Sequence, residues 1–193
     1  MDRKEAYKEL YNKRFQEIKD SIIFPNFPVE GVNFIDIFPL INNTCFEDVR
    51  DVLCPVDEDI IIFPEARGFL FADAMDPSRA VFLRKKGKLP GDLIEITYKK
   101  EYGEDKLYLQ KQALLNLAKQ TGKSEVSVCV FDDVAATCGT ADAIISTLDG
   151  LELDGIKFKV TSAKFYIMIK ELNGFDLLRK KHPSLVVEAL YEY

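Results

Sequence analysis

The segment Val130 to Ala143, VFDDVAATCGTADA, constrains the fold of this chain more than any other. A β-branched and aromatic run, Val126 to Phe131, leads into two adjacent acids, Asp132 and Asp133. A turn holding Thr137, Gly139 and Thr140 follows, and then apolar Ala141, Ile144, Ile145 and Leu148 recur at helical spacing. The run predicts a buried parallel strand, and the spacing predicts a helix over 141–148. Strand, turn and helix in that order form the unit of an α/β sheet, in which ligands collect at the carboxyl ends of the strands.

The chemistry of the turn follows from its residue types. A helix N-terminus offers free N–H groups and positive partial charge to an anion. Thr hydroxyls and a backbone that glycine lets approach closely complete a phosphate site. Two carboxylates cannot bind that phosphate, and neighbouring sugar hydroxyls are their natural donors. An ordinary capped loop has the same composition, so the segment alone implies a cradle and no reaction. It is neither a Walker A loop, which needs Gly-Lys-Ser/Thr, nor the three-glycine dinucleotide fingerprint.

The rest of the chain reads as alternating elements. A helical stripe runs through 1–20 (Tyr7, Leu10, Tyr11, Arg14, Phe15, Ile18) and is read as packing. A helix is expected over 46–53, a buried strand over 60–63, a helix over 68–75 and a strand over 80–83. Residues 93–98 and 106–110 alternate about Gly103, which predicts a hairpin or flap. A late strand is expected over 164–169 and a turn at Asn173-Gly174. This order implies one α/β domain with a mostly parallel twisted sheet flanked by helices. Arg84, Lys85, Lys86 and Lys88 follow the 80–83 strand. Such runs are usually solvated faces, but beside a phosphate cradle this one favours a diphosphate-bearing ligand.

Composition excludes other classes. A formal net charge of −6 argues against a general nucleic-acid surface. No run of about 18 apolar residues is present, so no membrane span is expected. The first residues are charged rather than apolar, and Cys45, Cys54, Cys129 and Cys138 lack metal-ligand spacing. Both features suggest a cytoplasmic protein with free thiols. His182, beside Lys180, Lys181 and Pro183, is read as a surface or capping residue.

Val130 to Ala143 resembles the phosphoribosyl diphosphate (PRPP) motif of type I phosphoribosyltransferases. Phe24 to Leu40 (FPNFPVEGVNFIDIFPL), Ala66 to Phe71 (ARGFLF), Leu83 to Gly91 (LRKKGKLPG) and Glu101-Tyr102-Gly103 resemble the adenine phosphoribosyltransferases, in family order. The resemblance implies one domain over 1–193, with an N-terminal helix and base-binding hood over 1–40 and a flexible catalytic loop over 92–110. It implies adenine and PRPP as substrates, AMP and diphosphate as products, Mg²⁺ held mainly by PRPP and water with no direct protein ligand, and a homodimer.

The resemblance also implies roles for particular residues. Asp132 and Asp133 hold the ribose hydroxyls; Ala135, Ala136, Thr137, Cys138, Gly139 and Thr140 bind the 5-phosphate. Arg67, with Gly68 permitting close approach, Arg84, Lys85 and Lys88 neutralise the diphosphate, and an Arg84-like residue can act across a dimer interface. Glu101 is the general acid/base and Tyr102 its loop neighbour. Phe34 stacks on adenine, the backbones of Asn33 and Ile35 bond its edge, and Val134 and Leu172 add apolar contact.

The chain departs from the family pattern at several points. Cys138 stands where glycine is usual, so a φ > 0 there would be strained. Ile35 replaces a common Arg, and Glu65-Ala66 replaces Asp-Ser before Arg67, at a peptide bond that the family holds cis. Two other readings stay open from sequence: a PRPP-binding regulatory protein without catalysis, and a phosphoribosyltransferase for another nucleobase.

Overall fold

A computed structural model of the chain describes residues 3–27, 30–31, 33–43, 49, 56–100 and 103–193. Almost all of the helix expected over 46–53 lies outside the described residues, as do Glu101 and Tyr102.

Helix α1 (Arg3–Ile22) leads into an antiparallel ribbon, β1 (Ile23–Pro25) with β2 (Asn33–Ile35), and then α2 (Phe38–Asn43). Strand β3 (Ile60–Pro64) is followed by a 3-10 turn over Arg67–Phe71, α3 (Ala72–Met75) and β4 (Ala80–Leu83). Strands β5 (Leu93–Lys100) and β6 (Gly103–Gln110) form an antiparallel hairpin. Then come α4 (Lys111–Thr121), β7 (Glu125–Ala135), α5 (Gly139–Leu148), β8 (Glu152–Leu153), β9 (Ile156–Met168), a 3-10 turn (Lys170–Leu172), α6 (Gly174–Lys181) and β10 (Val186–Glu192).

In the sheet, β10, β9, β7, β3 and β4 lie side by side in that order and run parallel, with β8 antiparallel beside β9. The chain therefore winds from β3 to β4 in one direction and through β7, β9 and β10 in the other. The switch point lies between the carboxyl ends of β3 and β7, where a doubly wound sheet leaves a crevice. The hairpin joins the β4 side through a two-way backbone bridge between Arg84 and Tyr108, at 2.9 and 2.8 Å.

Alternation along the strands divides the core in two. Ile60, Ile62, Val128 and Val130 face Leu114, Ile144, Ile145 and Leu178 of the helices on one side. Ile61, Phe63, Cys129 and Phe131 face Phe15, Ile22, Leu40 and Phe71 on the other. Each fully buried Phe or Ile contributes about 1.5–3 kcal/mol relative to exposure. Of the stripe expected in α1, Phe15 is buried and Ile18 packs against this core, while Leu10 is exposed. Among the described residues no helix is long and apolar enough to cross a membrane.

The strands expected over 60–63 and 80–83 are present. The helix expected over 68–75 is instead a 3-10 turn and a single α turn. The tighter winding lets Gly68 sit against β7 while Phe71 packs on Phe131, ring centroids 5.2 Å apart. Strand β7 runs beyond 131 to Ala135, carrying both acids within it, and β9 begins well before Lys164.

Candidate active site at the β3 and β7 ends

The cradle forms where β7 ends. Ala135 is fully buried, and helix α5 begins at Gly139. Cys138 precedes the helix with φ 58° and ψ 19°, a left-handed conformation that disfavours any side chain. The thiol is nonetheless enclosed, and burial first, then the charges of Asp132 and Asp142, push its pKa up to about 12. It stays a neutral thiol, not a reactive thiolate. The Cys138 side chain makes no cap bond to the first turn of α5, whose N–H groups point from the helix end. Thr137 is exposed, and Gly139 and Thr140 are half-buried.

The acids are held differently from one another. Asp132 Oδ1 accepts the Asp133 N–H at 2.9 Å and lies beside Gly68, where a Cβ would stand 3.4 Å from it and 3.2 Å from Pro64 Cδ. The missing Cβ thus leaves room for Pro64 and Asp132. Burial, and then the neighbouring Asp133, raise the Asp132 pKa well above the usual carboxylate range. Asp133 Oδ2 is 2.6 Å from Arg67 Nε, off the N–H axis, so the contact is an ion pair without an aligned hydrogen bond.

Arg67 ties these acids to the β1–β2 ribbon. Its Nη1 donates to the Ile35 carbonyl at 3.3 Å, and its guanidinium lies over the Phe34 ring, 5.5 Å from the centroid. Phe34 also meets exposed Phe27 edge-on at 5.2 Å. Ile35 is buried in the core, so its backbone remains the group available for polar contact. Asn33 is exposed and Val134 half-buried. Leu172 is exposed on the turn after β9. The Glu65-Ala66 bond just before Arg67 is cis, as the resemblance implies.

The basic run is not a free cationic patch. Glu65 Oε2 accepts from the Lys85 N–H at 2.7 Å and from Arg84 Nε at 3.1 Å, and these bonds hold the Glu65 carboxyl below its ordinary pKa. The Arg84 guanidinium also lies over Phe69. Lys85 Nζ turns into the hairpin, to Asp105 Oδ2 and Tyr98 Oη. Burial alone would lower the lysine pKa, but those partners raise it. Lys88 is exposed. The carboxyl ends of β3, β4 and β7 thus gather Arg67, Gly68, Asp132, Asp133 and the Arg84–Lys85 pair, with Phe34 and Ile35 joined through Arg67.

Sequence reasoning missed Glu65, Asp105, Asp142 and Gly174. Asp142, in the first turn of α5, accepts from Lys181 Nζ and lies 2.9 Å from His182 Nε2. Burial would raise its pKa, and these partners more than offset that. His182 is therefore half-buried against the cradle helix. The only signal for this was helical spacing within 141–148, and for Gly174 an Asn-Gly turn. A cavity of about 470 Å³ opens on the far side of that turn, against α6 and β10, and no sequence-predicted site residue lines it.

No protein-family model matches the chain. It is 38% identical over 184 residues to the adenine phosphoribosyltransferase of Mycoplasmopsis pulmonis, covering 92% of this chain and 95% of that relative. The adenine phosphoribosyltransferase of Clostridium acetobutylicum is 36% identical over 171 residues, 84% of this chain and 92% of the relative. The fold matches the crystal structure of adenine phosphoribosyltransferase from Saccharomyces cerevisiae, which is complexed with an imino-altritol bisphosphate and adenine. The TM-score is 0.68 at 29% identity, over 96% of this chain and 98% of that one.

Proposed function

The chain belongs to the adenine phosphoribosyltransferase family, and on that premise we propose that it joins adenine to the phosphoribosyl group of PRPP, giving AMP and diphosphate. The observation that carries this reading is Arg67, which bridges an acid of the sugar side, Asp133, to the aromatic hood residue Phe34 and the Ile35 carbonyl. A base stacked on Phe34 and a ribose on the two acids would meet at this residue.

In the reaction, the bond between the anomeric carbon and the diphosphate oxygen breaks, and its electron pair leaves with diphosphate. A purine nitrogen bonds to the same carbon and gives up its proton. Asp132 and Asp133 orient the ribose through its hydroxyls, and 135–140 anchor the 5-phosphate. Arg67 and Arg84, with Lys88, offset charge on the leaving group; Lys85 acts chiefly by holding the hairpin through Asp105. Glu101 takes the purine proton, and the 92–110 segment covers the reacting carbon against water.

Mg²⁺ belongs to this proposal. Asp133 is already matched to Arg67, and the proposal has the ion liganded mainly by PRPP and water, entering with its substrate. When bound it neutralises charge on the diphosphate. We also propose a cytoplasmic homodimer. The exposed Leu70 and Phe82, near Arg84 and Phe69, support a subunit contact on the β4 side.

The test is PRPP with Mg²⁺ and each of adenine, hypoxanthine, guanine, xanthine and orotate, following diphosphate release. Turnover with adenine in preference to the others is expected. Diphosphate release with another base but none with adenine would overturn the proposal.

A further inference from the structure

The residues that set the cradle's geometry are not all in the cradle. After β9 the chain turns back beneath it: the Ile169 N–H donates to the Ala135 carbonyl at 2.9 Å, and Asn173 adopts a left-handed φ of 52° before α6 begins at Gly174. Gly174 is buried, and its φ is not in the left-handed region, so the backbone does not call for glycine there. Space does. A Cβ at 174 would stand 2.1 Å from the Ala136 carbonyl oxygen and 2.8 Å from Cys138 Sγ. The oxygen would have to retreat by more than about 1 Å to reach van der Waals separation.

We propose that Gly174 is a positioning residue for the phosphate loop. The Ala136 carbonyl and the Thr137 N–H belong to one rigid peptide plane and point in opposite directions. Packing Gly174 behind the carbonyl therefore aims the Thr137 N–H away from α6, to the open side of the loop. The same missing Cβ leaves the pocket that Cys138 Sγ fills, and this accommodates a side chain at a left-handed position where the family usually has glycine. A turn with a left-handed residue gathers successive N–H groups into an anion-binding concavity. Gly174 holds that turn from outside without touching the ligand.

The inference rests on reading 135–140 as the 5-phosphate site. In Gly174→Ala, KM for PRPP and the dissociation constant of AMP should both rise about tenfold or more, while KM for adenine changes less than about twofold. Equal changes for PRPP and adenine, or no change in either, overturn the role. Thr140→Val separates the two readings. If it leaves KM for PRPP unchanged, the 5-phosphate reading falls; if it raises KM while Gly174→Ala does not, only the Gly174 role falls. Should Gly174→Ala fail to fold, amide exchange on the wild-type chain decides. Ribose 5-phosphate should protect 169–174 together with 137–140, and protection confined to 137–140 overturns the inference.

Discussion

The loop after β7 and the β5–β6 hairpin bracket the same carboxyl edge, but they are anchored in different ways. In the loop, dense packing reaches the turn peptides themselves: Ala135 is fully buried, Cys138 nearly so, and Gly174 touches the Ala136 carbonyl. In the hairpin, Ile96, Leu107 and Leu109 are buried near the root. Tyr98, also buried, bonds to Asp105 together with Lys85, and only on the solvent face is the hairpin tied by exposed pairs, Lys106 and Tyr108 to Glu95. Packed backbone resists displacement, whereas exposed ion pairs contribute little and exchange readily with solvent. A phosphate that stays on the enzyme throughout turnover suits the first construction. A cover that opens each cycle suits the second.

The difference predicts that hairpin variants lower the rate of chemistry and loop variants weaken PRPP. The largest effect is expected for Glu101→Ala, whose kcat should fall by about 10²-fold or more with the dissociation constant of PRPP little changed. Rapid-quench kinetics and a binding titration check this, and equal losses in both would remove its acid/base role. Asp133→Ala deletes the Arg67 partner and, on the proposed reading, a sugar contact with it. KM for PRPP should rise by about 10- to 100-fold; an unchanged value would detach Asp133 from the sugar.

Lys85→Met should be milder. It cuts the tie to Asp105 and Tyr98 but leaves the backbone bridge at Arg84, so kcat/KM should drop by roughly two- to fivefold, with faster exchange of the 94–108 amides. A loss as large as that of Glu101→Ala would mean that Lys85 contacts diphosphate directly.

Asp132→Asn gives the smallest effect, and on stability its sign is positive. Because burial and Asp133 raise the folded-state pKa, the folded chain keeps this proton to higher pH than the unfolded one. Below the unfolded carboxyl value nothing is lost. Between the unfolded and folded values stability falls as pH rises, and above the folded value the full penalty persists. Removing the charge should therefore raise Tm by roughly 2–4 °C near neutral pH. The two melting curves should converge toward about pH 4. A lower Tm for Asp132→Asn at neutral pH would show that the ionised carboxyl is not a burden on the ligand-free fold.

The parts legible in the sequence are those whose reasons are local. Val126 to Phe131 reads as a buried strand, and Asp132-Asp133 before a Thr/Gly turn points to a cradle. Gly68 after Arg67 suggests a close approach of diphosphate, whereas the neighbours that the fold gives it are Asp132 and Pro64, a tertiary contact that no local rule announces. Local rules were weaker elsewhere. Helix α4 starts at Lys111, and Gln110 before it makes no side-chain cap bond, leaving only Gly122 at its end as a signal. Strand β10, VVEALYE, carries a pattern that serves helix or strand and is decided by its parallel pairing with β9. The Arg67–Asp133 pair, the turning of Lys85 to Asp105 and the packing of Gly174 on Ala136 join residues far apart in sequence. Such contacts exist only once the sheet is assembled.

The most direct measurement is a crystal structure with AMP bound. The phosphate is expected on the N–H groups of 137–140, both ribose hydroxyls on Asp132 and Asp133, and adenine against Phe34. AMP seated elsewhere, or a phosphate that avoids the loop, would contradict this placement.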